Sequence, residues 1–120
     1  MPRYPGLTLR VLGADSPAMG PGKAALVAQI EVTGSISAAA RAMGMSYRRA
    51  WQLVEALNRT YGEPVIVTVT GGARGGGARV TEFGSRIAAD FRAMERKASR
   101  AIAADLRRFA RHLRKPKRHP

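Results

Sequence analysis

Cysteine is absent from the 120 residues, which excludes a disulfide framework and a thiolate metal site. Histidine is scarce: His112 and His119 both fall in a basic tail, with no second ligand at a metal-binding spacing. No carboxylate pair converges near a nucleophile, so an enzyme is the weakest reading and no cofactor or metal is expected. No apolar run approaches the ~18–20 residues that span a bilayer, and no signal-peptide pattern opens the chain. The expectation is a cytoplasmic protein without a membrane partner. Acidic residues are few, eight Asp and Glu against 21 Lys and Arg, leaving a formal charge of +13. Such an imbalance repels itself and attracts polyanions, chiefly nucleic acid or an acidic membrane. The length suits one domain with a modest core.

What is present is organised around residues 35–61, SISAAARAMGMSYRRAWQLVEALNRTY. The stretch predicts two helices joined by a tight turn. Ser37 is the expected cap of the first, ahead of the strong helix formers Ala38, Ala39 and Ala40. Gly44 supplies the left-handed residue of the turn, and Ser46 caps the second helix. Helix, short turn and helix is the helix-turn-helix unit. Ala40 marks the close approach of its two helices, with Met43, Met45, Ala50 and Leu53 filling the angle between them. At about 100° per residue, Ala50, Val54, Leu57 and Tyr61 form the core stripe of the second helix. Arg48 and Gln52 point away from it, Arg49 lies on one flank, and Tyr47 and Trp51 lie on the other. Arginine can pair with guanine, glutamine with adenine, and a helix N-terminus favours phosphate. Ser46, Tyr47, Arg48, Arg49 and Gln52 are therefore the candidate DNA contacts. Trp51 is expected at the rim, packed against the preceding helix or the first strand.

The flanking segments supply the rest of a domain. Residues 7–12 alternate as a strand does, 13–22 read as a loop, and 22–32 carry Leu26, Val27 and Ile30 at helical spacing. After the stop at Pro64, residues 65–70 (VIVTVT) form the clearest strand. A glycine-rich run then leads into a return strand over 78–81. The run lacks the Gly-Lys-Ser/Thr ending of a nucleotide-binding loop and is not followed at once by a helix. Strand, loop and strand make a wing instead, with Arg74 at its tip and Arg79 as a second candidate DNA contact. Thr81 and Glu82 begin a last helix. Its apolar stripe runs through Phe83, Ile87, Phe91, Met94, Ala98, Ile102, Leu106, Phe109 and Leu113. Over residues 82–113 this helix would reach about 48 Å. The chain offers nothing to cover its far half, so a homodimer held by Phe91, Met94, Ile102, Leu106 and Phe109 is expected. The fold class is mainly α with a small β-hairpin: a winged helix-turn-helix over 1–81, a long dimerisation helix over 82–113 and a basic disordered tail over 114–120.

The strings GSISAAARAMGMSYRRAW and TGGARGGGARVTEFG carry a more specific signal. Through them, residues 7–98 resemble the N-terminal domain of ModE-type molybdate-responsive transcriptional regulators. More distantly they are similar to the winged helix of LysR-type regulators. The resemblance implies a homodimer on a palindromic operator of double-stranded DNA. Ser46, Tyr47, Arg48 and Arg49 would then open the recognition helix, with Arg74 on the wing. Full-length members of that family carry C-terminal oxyanion-binding domains. This chain reaches its basic tail soon after the last helix, so direct molybdate binding is not expected of it.

Two other classes stay open at this level. One is an architectural, nucleoid-type DNA binder driven by charge, which a shallow specificity ratio would reveal. The other is an adaptor whose winged helix binds protein, which weak salt dependence or no DNA binding would reveal.

Overall fold

The computed structural model describes residues 6–70 and 77–115. Nine elements follow in order: β1 (Val11–Leu12), β2 (Pro17–Met19), α1 (Pro21–Thr33), α2 (Ile36–Ala42), α3 (Tyr47–Thr60), β3 (Ile66–Val69), β4 (Gly77–Val80), α4 (Glu82–Ala101) and α5 (Ala103–Ala110). Three helices, α1 to α3, pack together, and the β3–β4 hairpin and the first half of α4 close the core over them.

Local chemistry explains each boundary. Pro21 sits in the first turn of α1, where its missing amide costs nothing. Gly34 ends that helix at φ +69°, its amide donating to the Ile30 carbonyl at 2.8 Å. Only two residues then separate α1 from α2, so the cap of α2 falls on Ser35 and not on Ser37. The Ser35 hydroxyl accepts from the Ala38 amide at 3.1 Å. Starting the helix there puts Ile36 into it and into the core. Ser37, displaced from the cap, accepts from the Arg41 guanidinium at 3.1 Å. The turn forms as expected at Gly44, φ +67°. Ser46 caps α3, accepting from the Arg49 amide at 3.0 Å.

Ala50, Val54 and Leu57 of α3 are buried, while Leu53 and Tyr61 are half-buried. The Tyr61 hydroxyl donates to the Ala18 carbonyl at 2.8 Å, fastening the end of α3 to β2, and burial raises the phenol pKa. The segment before α1 is thus less strand-like at its start and more at its end than alternation suggests. Only Val11–Leu12 pairs, antiparallel, with Pro17–Met19 inside the predicted loop. That pairing buries Ala18 and Met19.

The second hairpin keeps a regular antiparallel register from Ile66 opposite Val80 to Val69 opposite Gly77. Its base is held from two sides. Asn58 of α3 accepts from the amides of Val65 and Ile66 at 2.8 and 3.1 Å and donates to the Ile66 carbonyl at 2.8 Å. Ala78 donates its amide to the Gly34 carbonyl at 2.9 Å, tying β4 to the α1–α2 turn. The start of α4 needs close approach: a Cβ on Gly84 would stand 2.4 Å from the Val65 carbonyl oxygen. Thr81 caps α4, accepting from the Gly84 amide at 2.9 Å and donating to the Pro64 carbonyl at 2.7 Å.

Two expectations for the last helix require correction. It does not run unbroken over 82–113. Ile102 leaves helical geometry at φ −106°, ψ 8°, and the second segment ends at Ala110. No glycine or proline marks the site. Among the described residues Phe91 is the last buried one, so beyond it no core contact fixes the helical path. Phe91 itself is 1% exposed and belongs to the core of its own chain, which removes it from any intersubunit surface. Of the tail expected over 114–120, residues 116–120 lie outside the described residues.

Candidate nucleic-acid interface

The capped N-terminus of α3 stands clear of the core. Ser46, Tyr47, Arg48, Arg49 and Gln52 are all exposed, Tyr47 at 57%. The reason is the burial of the opposite stripe: fixing Ala50, Val54 and Leu57 inward turns residues 47, 48 and 52 outward. The first turn carries no acidic residue, so the positive end of the helix is left unneutralised.

The fold divides the predicted contacts among three surroundings. Tyr47 shares a groove of about 310 Å³ with Ser35 and Ser37 at the start of α2 and with Thr68–Thr70 and Gly77 of the hairpin. The hairpin therefore runs beside the start of α3, as a wing does. Arg49 and Gln52 line a different depression on the far flank, together with Arg10 and Lys23. Arg79 lies on the outer side of the hairpin, opposite Val67. It joins Arg41, Ser35 and Glu31 along a groove of about 950 Å³. Arg74 lies outside the described residues. Arg48 lines none of these hollows and projects from the exposed face.

Trp51 is found elsewhere than expected. It is 36% exposed and shares a depression with Asn58, Pro64 and the β3 residues Ile66, Val67 and Thr68. Its neighbour is thus the wing, not α2 or the first strand. The cause is the Asn58 latch, which draws β3 against α3 two turns beyond Trp51.

Arg10, Lys23 and Arg41 escape any periodicity argument, because each is an isolated cation in a different segment. Net charge announces that such residues exist without saying which of them gather. Lys23 is half-buried and donates to the Pro17 carbonyl at 2.7 Å. Burial first, and then the charges of Arg10 and Arg49, lower its pKa from the ordinary lysine value. The described residues hold no group of three or more His, Cys, Asp or Glu placed to bind a metal. No helix among them is long and apolar enough to cross a membrane.

The chain is 44% identical over 90 residues to the molybdenum-pterin-binding protein MopB of Rhodobacter capsulatus, covering 75% of this chain and 32% of that one. It is 43% identical over 70 residues to the molybdenum transport protein ModE of Azotobacter vinelandii, covering 58% and 26%. With the DNA-binding transcriptional dual regulator ModE of Escherichia coli K12 it shares 36% identity over 67 residues, 56% of this chain and 26% of that one. The chain thus spans about a third or less of each of these relatives. Among solved structures, ArgP from Mycobacterium tuberculosis matches 68% of this chain and 30% of its own at 24% identity, with a TM-score of 0.46. A sequence model of the bacterial regulatory helix-turn-helix proteins of the lysR family matches residues 23–85, which run from the first turn of α1 through the wing into the start of α4. That match takes in more than half of the chain, and the chain belongs to this family of regulatory helix-turn-helix proteins.

Proposed function

We propose that the chain is the DNA-reading part of a transcriptional regulator and binds a two-fold symmetric operator as a homodimer. In this reading α3 enters the major groove by its N-terminus, and the β3–β4 wing follows the adjacent backbone. The observation that carries it is the exposed first turn of α3, capped by Ser46 and bearing Tyr47 and Arg48, with basic side chains grouped on both flanks. Arg48, on the exposed face outside the four hollows described above, takes the base edge, while Arg49 and Arg79 take phosphates. The dimer is supported by the apolar side chains left along α4 and α5. Met94 is 43% and Phe109 62% exposed, with Ile102 and Leu106 half-buried between them.

Relatives of the chain are named for molybdenum transport and molybdenum–pterin binding. Direct molybdate binding by these residues is not part of the proposal. The charge of +13 favours a second reading, an architectural binder with little sequence preference. Selection of bound sites from a random duplex pool separates the two. Convergence on one palindromic site is expected. A pool that stays random while still binding tightly would favour the architectural reading.

A further inference from the structure

Arg10, Lys23, Arg49 and Gln52 come from three separate parts of the chain: the approach to β1, the first turn of α1 and the first two turns of α3. The fold gathers them around one depression of about 490 Å³. No carboxylate lines it, and among the described residues none of these three cations is in an ion pair. The Arg10 side chain lies over Gly20, where an added Cβ would stand 3.7 Å from its Nε. Lys23 is held at the wall by its bond to the Pro17 carbonyl. Three like charges around one hollow repel each other: burial lowers the Lys23 pKa most, and the charges of Arg10 and Arg49 lower it further. Such an arrangement is relieved by an anion. The donors on offer are two guanidinium forks, an ammonium and a carboxamide, which suit the several oxygens of a phosphate.

Two members of the cluster, Arg49 and Gln52, stand on α3 itself. In the proposed docking, with the N-terminus of α3 in the major groove, this flank of the helix faces one of the sugar–phosphate strands that border the groove. We infer that the cleft formed by Arg10, Lys23, Arg49 and Gln52 is a phosphate site, and that its occupant is a backbone phosphate of the duplex read by α3. The inference rests on the DNA-binding reading above and extends the contact surface to the segment before β1 and the start of α1.

The test is the salt dependence of affinity, measured with the whole chain on a selected duplex and on a scrambled one. Arg10→Gln and Lys23→Gln are each expected to weaken both duplexes by the same factor. Each should make the slope of log affinity against log salt shallower by about 0.9, the share of one phosphate contact. Between 50 and 200 mM salt that slope difference amounts to roughly a 3.5-fold smaller loss of affinity. Arg59→Gln removes one charge at the opposite end of α3 and should leave the slope unchanged. Arg10 lies on an exposed segment, so its variant reports even if Lys23→Gln disturbs the start of α1.

Wild-type slopes in both cleft variants, with wild-type protein still binding DNA, would overturn the cleft and leave the DNA reading intact. An equal change in Arg59→Gln would also overturn it, since net charge alone would then suffice. Failure of the wild-type chain to bind any duplex would overturn both. A parallel titration with inorganic phosphate separates a free anion from a backbone phosphate. Saturable binding lost in Lys23→Gln, alongside unchanged DNA slopes, would assign the cleft to a free anion and overturn the duplex as its occupant.

Discussion

Asn58 joins α3 to the wing by three hydrogen bonds from a single carboxamide, and among the described residues no other side chain hydrogen-bonds the two. Its removal leaves two amides and a carbonyl of the buried residues Val65 and Ile66 without side-chain partners. Asn58→Ala should therefore cost about 2–4 kcal/mol, more than one ordinary hydrogen bond, because unmade polar groups carry their full desolvation penalty. Urea unfolding measures this, and a loss below about 0.5 kcal/mol would show that the latch is idle. Two glycines offer a contrast in sign. An added methyl at Gly84 meets the Val65 carbonyl at 2.4 Å and two valine methyls at 3.0 Å, so Gly84→Ala should destabilise by about 1–3 kcal/mol. At Gly22, inside α1, nothing lies within 4 Å, and Gly22→Ala should stabilise by about 0.4–1 kcal/mol. Thermal melts of the two variants should move in opposite directions, and a shared direction would contradict the packing described.

At the scale of the element, α3 is two surfaces on one cylinder. Its buried stripe ties it to the domain, and that fixes which residues remain for a ligand. Arg48 and Arg49, adjacent in sequence, end in different surroundings: one on the free face, the other in the cleft with Lys23. They should fail differently. Arg48→Ala is expected to cost about 1–3 kcal/mol on the selected operator and to relax preference at one position per half-site. Arg49→Ala should weaken all duplexes alike. Repeating the site selection with each variant checks this, and an unchanged consensus for Arg48→Ala would remove it from base readout.

Across the whole molecule, the distribution of apolar surface bears on the proposed homodimer. The core takes the α4 stripe as far as Phe91 and no further. Met94, Phe109 and Leu113 are left on the exterior of a strongly basic chain, whose self-repulsion works against any association they offer. Burying a side chain of this size contributes about 1.5–3 kcal/mol, and a two-fold axis uses each position twice. Phe109→Asp should leave the fold intact, since the ring is exposed, while shifting sedimentation equilibrium toward monomer. Operator affinity should fall with it, because in the proposed complex each subunit reads one half-site. Phe91→Asp should instead unfold the chain. A Phe109→Asp protein that stays dimeric would place the dimer contact elsewhere.

Helices α1 to α3, the start of α4, the turn at Gly44, the caps at Ser46 and Thr81 and the β3–β4 hairpin were legible in the sequence, because each depends largely on neighbours close along the chain; the break at Ile102 was not. Periodicity also divided α3 correctly into core and free faces, since one helix carries its own geometry. The cap of α2 was misplaced by two residues because the burial of Ile36, a tertiary contact, sets where that helix begins. The same limit explains Phe91: a heptad-like stripe shows which side of a helix is apolar, not whether the covering surface belongs to its own chain or to another. Trp51 went to the wing because Asn58, two turns away, pulls the hairpin against α3. The cleft of Arg10, Lys23 and Arg49 was invisible for the plainest reason. Its members stand 13 and 26 residues apart along the chain, and only the packing of β2, α1 and α3 brings their charges around one hollow.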